Sequence, residues 1–411
     1  MPVDLYGLYH INITTTIRKK MRFILFYSGI ESFNHFTDQI DKELKQMGHE
    51  TFILDLRDAK GAVNHSLTGL TEFMHCHVDA AIGYEQMPVT GHAFVELWDE
   101  ADIPVISIFM DPPFRFGNYN RDLPKNYLRF CCDSEHISFC RRFYSSSIPN
   151  VHFLPHAATV PTDAVPSFNE KKYDLLFSGT YYSPDGYLST IKEKYSDNLR
   201  NLLYEAIDFM KSYPEHSFPT AVDRILSLGG YNADEKTRLL VMESGEEADW
   251  YIRMYYREKV VDSILDSGRD LWLLGRGWEN HKKAGFKNMH ILSDRVSFRE
   301  SLRFMADSRI NLNVMPWFKD GTHDRIFNTL LRDSLPLTDS SLYLKDHFTD
   351  HSSIEFYDLY HIDKLPSIIE ALLKHPDNTQ RIIKAGKQIV IEKFTWKNIV
   401  YELIEASKAF A

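Results

Sequence analysis

Short apolar runs alternate with longer amphipathic stretches along the whole of this 411-residue chain. Parallel strands are buried on both faces and joined by helices, so this alternation predicts parallel sheets with helical crossovers. The first half predicts six strands: Arg22–Tyr27, Thr51–Leu56, Val78–Ile82, Val105–Met110, Leu128–Cys132 and Val151–Leu154. The second half predicts six more: Tyr173–Ser178, Leu271–Leu274, Met289–Leu292, Ile310–Val314, Leu335–Thr338 and Ile354–Tyr357. Two such units in series predict an α/β fold of two doubly wound, Rossmann-like domains.

Three prolines and several small or polar residues mark residues 155–171 as an interdomain linker. We therefore expect one domain over residues 21–155 and a second over residues 172–393. Residues 1–20 lack the apolar segment of a secretory signal and are predicted to be an N-terminal extension.

The second domain contains one gap that a single crossover helix does not explain. More than 90 residues separate Tyr173–Ser178 from Leu271–Leu274, whereas a crossover with one helix needs far fewer. Residues 183–256 are therefore predicted to be a helical insertion. Its role stays open: it could shape an acceptor site, form a dimer contact or decorate the surface.

Charge and cysteine content narrow the class of protein. Lys and Arg number 47 against 57 Asp and Glu, a net charge of −10 that disfavours nucleic acid as a partner. No apolar run approaches the length of about 20 residues that spans a bilayer. Of the four cysteines, Cys131 and Cys132 are adjacent in a predicted buried strand and are expected to be reduced packing residues. These features predict a cytoplasmic location.

The segment Asp320–Asn328 is the clearest candidate for chemistry, because it follows a predicted strand and opens a helix. Ligands of parallel sheets bind at the carboxyl ends of the strands. A helix start offers free N–H groups to a diphosphate, and Arg325 on its first turn could add a charged hydrogen bond. The alternative is an ordinary surface loop with a helix cap and a solvated arginine.

This segment, followed by Leu335-Pro336-Leu337-Thr338-Asp339, resembles the donor site of GT-B glycosyltransferases. It is most similar to the spore-maturation CgeB-type branch of the glycosyltransferase group 1 family, which carries Arg-x-Phe-Glu at this helix start. In the broader group, a Glu-x7-Glu motif contacts the sugar with its first glutamate and the ribose with its last. Asp320 and Asn328 occupy these two positions here, and the loss of charge at Asn328 departs from the pattern.

Other motifs follow in the order that the resemblance requires. Gly179-Thr180 and Gly275-Arg276 follow strands of the second domain, and Phe394-Thr395-Trp396 resembles the entry to a last helix, 394–411, that packs back on the first domain. The resemblance implies that the domains face each other across a cleft and that the second domain binds the donor. The implied donor-binding residues are Gly179, Thr180, Gly275, Arg276, Asp320, Gly321, Thr322, His323, Arg325 and Asn328.

The first domain offers a catalytic candidate in Asp111, which follows the fourth strand and precedes two prolines. Asp111 could act as the general base on an acceptor hydroxyl or position it; it could equally cap a rigid turn. Glu31 and His35 are alternative bases. His156, at the start of the linker, is expected to be a hinge residue that could touch the cleft.

The sequence argues against a metal at the donor site. It contains no Asp-x-Asp triplet, which the metal-dependent GT-A class uses, and His75-Cys76-His77 lacks the spacing of a zinc site. The resemblance therefore implies transfer of a sugar from a nucleotide-diphosphate sugar, in the first place a UDP-sugar, to a hydroxyl of a protein, a glycan or a small molecule, without metal or cofactor. A non-catalytic sugar-nucleotide-binding or scaffold protein and a sugar-nucleotide epimerase are the alternatives.

Overall fold

The structure, a computed structural model, describes residues 20–57, 62–229 and 233–410, with the side chains of residues 62–65 left out. The predicted extension over residues 1–20 lies outside this part of the chain except for Lys20. All twelve predicted strands are present, some with ends displaced by one or two residues. The sequence therefore predicted the α/β class and the succession of strands correctly.

The first domain is a parallel six-stranded sheet with helical crossovers. Its strands are β1 (Arg22–Tyr27), β2 (Glu50–Asp55), β3 (Ala80–Tyr84), β4 (Val105–Phe109), β5 (Tyr127–Cys131) and β6 (Val151–Phe153). Its helices are α1 (Glu31–Gln46), α2 (Ala62–Phe73), α3 (His92–Glu100) and α4 (Ser134–Phe143). The strand order is β2-β1-β3-β4-β5-β6. Strands β3, β4 and β5 are buried along their whole length, as expected of central parallel strands.

The second sheet repeats this arrangement. Its strands are β7 (Tyr173–Ser178), β8 (Leu271–Leu274), β9 (Met289–Ser293), β10 (Ser308–Asn313), β11 (Leu335–Asp339) and β12 (Glu355–Tyr357), in the order β12-β11-β10-β7-β8-β9. After β7, the chain forms β8 and β9 on one side of that strand. It then forms β10, β11 and β12 on the other side. The strand order thus reverses between β7 and β10, which is where a doubly wound sheet binds its ligands.

Five helices occupy the predicted insertion. They are α5 (Pro184–Lys194), α6 (Asp197–Ser212), α7 (Phe218–Leu228), α8 (Glu235–Ser244) and α9 (Glu246–Asp266). The apolar pattern from Leu188 to Leu203 predicts one helix, but the extended backbone at Tyr195 and Ser196 divides it into two. The insertion also reaches the first domain, because Arg142 of α4 pairs with Asp223 and Glu235.

The remaining helices complete the second domain and return to the first. They are α10 (Phe298–Ala306), α11 (Asp324–Leu331), α12 (Leu342–His347), α13 (Leu365–Lys374), α14 (Pro376–Lys393) and α15 (Trp396–Lys408). Helix α15 packs against α1, where the Trp396 and Phe36 rings lie 5.3 Å apart. Cys131, Cys132 and Cys140 are buried, Cys76 is exposed, and all four thiols are free. Within the described ranges, no helix is both long enough and apolar enough to cross a bilayer.

Candidate functional site

The carboxyl ends of the two sheets border a cleft of about 700 Å³. It receives side chains and turns from both domains and from the insertion. Six residues predicted from the sequence line it: Asp111, Gly179, Thr180, Gly275, His323 and Arg325. The remaining predicted residues, Arg276, Asp320, Gly321, Thr322 and Asn328, do not.

The glycine turns after β7 and β8 pack against each other. Gly275 has a φ of +126°, and a Cβ there would lie 2.6 Å from the carbonyl oxygen of Gly179, so only glycine fits this approach. The N–H of Gly179 bonds to Leu274, and its carbonyl accepts the Trp278 indole N–H. The glycines were predicted to bring backbone close to a phosphate. Here they bring two turns together, and Arg276 points into solvent.

The start of α11 brings a charged group to the cleft. His323 is the N-cap, and its Nδ1 lies 2.8 Å from the Asp324 carboxylate. Arg325, on the first turn, donates to the Asn313 side chain at the end of β10. Burial lowers the pKa of the Arg325 guanidinium, an effect that Asp324 opposes. Arg325 therefore lies where the sequence predicted it, at the point where the strand order reverses.

Helix α9 of the insertion contributes two further arginines that the sequence analysis missed. Arg253 lines the cleft, is 4% exposed and bonds to Asp249 at 3.0 Å, while its buried Nη2 has no partner. Arg257 lies behind the turn after β7, donates to the carbonyl of Thr180 and has an unpartnered Nε. Their spacing of four residues on a mostly buried helix was the available signal.

These guanidinium groups crowd one another. Burial, with Arg115 as the next cause, lowers the pKa of Arg253 to about 10. Burial, followed by Arg325 and Arg253, lowers the pKa of Arg257 to about 9. Both remain charged at neutral pH. Buried cations that repel one another and keep free N–H groups form a site for an anion.

Asp111 lies on the opposite wall of the cleft, with its side chain 40% exposed. It pairs with Arg115 at 3.2 Å and with Arg253 at 3.4 Å. Burial alone would raise the pKa of this carboxyl, but Arg115, Arg253 and His136 outweigh it and hold the pKa below its usual value. The carboxylate is therefore ionised and weakly basic, which suits positioning better than proton abstraction.

The two alternative bases have other contacts. Glu31, at the start of α1, lines the cleft and accepts the N–H of Phe298 from the second domain at 2.6 Å. His35 bonds to Thr159 at 3.0 Å and lies in a separate pocket beside the linker. His156 lines the cleft, is 6% exposed and has no partner on either ring nitrogen. Burial lowers the pKa of His156 to about 4, so its ring is neutral.

The loop before α11 joins the two domains instead of lining the cleft. The carboxylate of Asp133 accepts the N–H groups of Lys319 at 2.9 Å and Asp320 at 3.0 Å. A Cβ on Gly321 would lie 2.3 Å from the carbonyl oxygen of Cys132, so the backbones touch here. Thr322 is fully buried beside them. The expectation that Asp320 to Thr322 contact a donor does not hold in this arrangement.

Asn328 is fully buried and ties the linker to α11. Its Oδ1 accepts the N–H of Thr159 at 2.9 Å, and its Nδ2 donates to Asp324 at 3.0 Å. The Thr159 hydroxyl in turn bonds to His35 and to the Trp396 indole. Both polar ends of the Asn328 side chain are therefore used at the hinge, and a contact of Asn328 with a ribose stays a prediction.

Comparison with known proteins agrees with this geometry. Residues 257–405 match a family model described as glycosyl transferase-like. The fold is similar to a glycosyltransferase from Rickettsia africae ESF-5, with a TM-score of 0.52, 10% identity and coverage of 95% of this chain and 99% of that one. It is also similar to a sucrose-phosphate synthase from Thermosynechococcus elongatus, with a TM-score of 0.53, 7% identity and coverage of 95% and 99%. The chain has the GT-B glycosyltransferase fold.

Two further comparisons bear on this GT-B chain. Anabaena Alr3699/HepE in complex with UDP and glucose has a TM-score of 0.50 and 9% identity, with coverage of 95% of this chain and 100% of that one. An uncharacterized protein of Aquifex aeolicus strain VF5 is 23% identical over 327 residues, which are 76% of this chain and 78% of the relative. The closer resemblance to the CgeB-type branch stays a prediction.

Proposed function

We propose that this GT-B chain transfers a sugar from a nucleotide-diphosphate sugar to a hydroxyl acceptor. The observation that carries the proposal is the cluster of buried and half-buried arginines at the reversal of strand order in the second sheet. Arg115, Arg253, Arg257 and Arg325 outnumber the nearby carboxylates of Asp111, Asp249 and Asp324. A diphosphate would supply the missing negative charge.

In the proposed step, the acceptor oxygen forms a bond to the anomeric carbon of the donor. The bond between that carbon and the β-phosphate oxygen breaks, and its electron pair stays on the departing diphosphate. The hydroxyl proton leaves to the departing phosphate. Arg253 and Arg325, which line the cleft, stabilise the charge that develops on the leaving group. These cations make a metal ion unnecessary for this purpose, and no cofactor is invoked.

Asp111 has a positioning role in this scheme. Its carboxylate is ionised, pairs directly with Arg253 in the cleft and can accept a hydrogen bond from the acceptor hydroxyl. The contact between Glu31 and the N–H of Phe298 joins the two domains at the mouth of the same cleft. We propose that this contact helps to exclude water, which would otherwise hydrolyse the donor.

The choice of donor follows from the comparison. The Anabaena protein of similar fold was crystallised with UDP and glucose, which makes UDP-sugars the first donors to test. A thermal-shift panel of sugar nucleotides would select the donor, because a ligand that binds the folded state raises its apparent stability. UDP release, with and without acceptors, then measures turnover. Identification of the sugar product separates a transferase from an epimerase, and binding without any turnover would mean a sugar-nucleotide-binding protein.

Metal independence is a separate prediction. With arginines in place to neutralise the leaving diphosphate, we expect transfer to continue at an unchanged rate in excess EDTA. The measurement is UDP release before and after chelation, with Mn²⁺ and Mg²⁺ added back to matched samples. Loss of activity in EDTA that either ion restores would rule out a purely arginine-based leaving-group site.

A further inference from the structure

A second cavity, of about 290 Å³, lies between the first domain and the helical insertion. We call it the aromatic pocket and define it by Phe139 and Phe143 of α4, Pro219 of α7, and Trp317. A cavity of this size accommodates a small organic molecule. The donor site proposed above does not use it, although the insertion builds one of its walls.

The aromatic pocket adjoins the cleft at the point where an acceptor must arrive. Trp317 lines both cavities, and the Arg253 guanidinium lies 4.3 Å from its ring centroid. Pro112, which lines the pocket, directly follows Asp111. A molecule held in the pocket therefore extends past Trp317 toward the carboxylate of Asp111 and the donor cations.

One polar group in the pocket lacks a partner. His136 lines it and is 6% exposed, and its Nδ1 has no hydrogen bond. Burial, reinforced by Arg253, lowers the pKa of His136 to about 4, so the ring is neutral at pH 7. A neutral imidazole with a free nitrogen suits a hydroxyl group of a ligand.

The other polar groups of the pocket are already engaged. The Ser138 hydroxyl donates to the carbonyl of Ser134, and the hydroxyls of Ser217 and Thr220 bond to each other. A sugar acceptor needs several hydrogen-bonding partners, whereas among the described lining groups the His136 nitrogen and the Glu135 carboxylate are the ones left for it. Flat apolar walls suit a ring compound instead.

The charges of the pocket disfavour an anionic ligand. Asp133, Glu135, Asp223 and Asp249 line it against the single cation of Arg142. Asp249 is neutralised by Arg115 and Arg253, and Asp223 by Arg142 and Arg238. Glu135 leaves the pocket with an acidic surplus. An added carboxylate or phosphate would be repelled and desolvated.

We propose that the aromatic pocket binds the body of the acceptor, and that this acceptor is an uncharged hydroxyl compound built on an apolar ring system. This inference rests on the proposed transferase function and deepens it. It also gives the helical insertion a role: α7 closes the pocket opposite α4. The acceptor hydroxyl then lies between His136 and Asp111, facing the donor.

The test uses 2-naphthol, an uncharged fluorescent phenol, as the probe with the full-length protein. Equilibrium binding of 2-naphthol is measured without donor, and naphthyl glycoside formation is measured with the donor found above. We expect saturable binding and a glycoside product. 6-Hydroxy-2-naphthoate, which adds one carboxylate to the same rings, should bind at least several-fold more weakly, and maltose should not be glycosylated.

A matched pair of variants locates the binding. Ser138 and Ser189 are both exposed helical serines that donate to the carbonyl four residues earlier, but only Ser138 lines the pocket. Ser138→Trp should weaken 2-naphthol binding and raise its KM roughly tenfold or more, because the indole occupies the apolar space. The KM for the donor should not change. Ser189→Trp should change neither the affinity for 2-naphthol nor its KM. If Ser138→Trp lowers the melting temperature, Ser138→Phe takes its place as the variant with a smaller ring.

The outcomes separate the two proposals. Absent or unsaturable 2-naphthol binding, or equal binding by Ser138→Trp, would overturn the acceptor inference while donor binding stands. Glycosylation of maltose in preference to 2-naphthol would overturn it in favour of a glycan acceptor. Equal affinity for 2-naphthol and 6-hydroxy-2-naphthoate would overturn the inference that the acceptor is uncharged. Binding of 2-naphthol that depends on Ser138, without binding or turnover of any sugar nucleotide, would support the pocket and refute the transferase.

Discussion

Helices α9 and α11 both deliver arginines to the cleft, but they do so in different ways. Helix α11 begins at the end of a strand, and Arg325 reaches the cleft from its first turn. Helix α9 is a 21-residue helix of the insertion, and it presents Arg253 from its buried middle. The first arrangement is local and repeats a known motif. The second exists only because the insertion folds back over the cleft.

The two arginines also differ in how firmly they are held. Arg253 is buried and pairs with both Asp249 and Asp111, whereas Arg325 is only half-buried and bonds to the neutral Asn313. Removing Arg253 disturbs a network of charges. Removing Arg325 takes away one charged hydrogen-bonding group. Substitutions should therefore separate a residue that holds the site together from one that acts mainly on the ligand.

The largest effect is expected for Arg253→Ala. Truncation leaves Asp249 with Arg115 alone, and breaking a buried ion pair costs about 3 kcal/mol or more of unfolding free energy. Transfer should fall roughly 100-fold, because a charged donor to the phosphate is lost. Denaturant unfolding and kcat/KM for the donor measure the two effects. Arg253→Lys is the control, since it keeps the charge: it should recover most of the stability and part of the rate. Wild-type stability for Arg253→Ala would contradict the network.

Arg325→Ala should affect the ligand and leave the fold intact. A charged hydrogen bond contributes about 1.5–3 kcal/mol, so kcat/KM for the donor should fall roughly 10- to 150-fold while the melting temperature stays nearly constant. Arg276→Ala is the matched control, because that arginine follows β8 of the same sheet but is exposed outside the cleft. Equal kinetics for the two variants would remove Arg325 from the site and would favour a surface role for it.

What the sequence predicts divides in the same way, because it contains local signals but not distant ones. Strand ends, the glycine turns, Asp111 and Arg325 are local features, and each lies where the order of motifs placed it. Arg253 and Arg257 were missed because their role depends on the packing of five helices that no local pattern describes. The spacing of Asn328 from Asp320 matches the motif, but its observed partner lies in the linker, 169 residues away at Thr159, which no local pattern reveals.

Arg257 should contribute to the pH dependence at alkaline values. Its pKa of about 9 in the folded protein lies below the ordinary value, chiefly through burial and then through Arg325 and Arg253. Above pH 9 the folded protein loses this proton before the unfolded chain does, so the contribution of this group to stability rises with pH. Pyrophosphate affinity should fall over the same range because a cation disappears.

Titration of pyrophosphate binding and of urea unfolding between pH 7 and pH 10.5 measures these opposite slopes. In Arg257→Met, the part of each slope against pH that comes from Arg257 should disappear, both for pyrophosphate affinity and for unfolding free energy. Arg276→Met, which replaces an exposed arginine, should keep both slopes. Affinity that stays flat above pH 9 in the wild type would show that Arg257 does not act on the phosphate.

The smallest effect on catalysis is expected for Asn328→Ala, which tests the motif against the contacts. If Asn328 held the ribose, the KM for the donor would rise and the stability would stay the same. In the structure its Oδ1 accepts the N–H of Thr159 within the buried hinge. Without the Asn328 oxygen, the buried N–H of Thr159 has no hydrogen-bond partner, which costs about 1–3 kcal/mol of unfolding free energy. We therefore expect weaker resistance to denaturant with a donor KM within about twofold of wild type, a difference of about 0.4 kcal/mol, because Asn328 does not line the cleft. A raised donor KM with unchanged unfolding would restore Asn328 to the donor site and would mean that the hinge rearranges when the nucleotide binds.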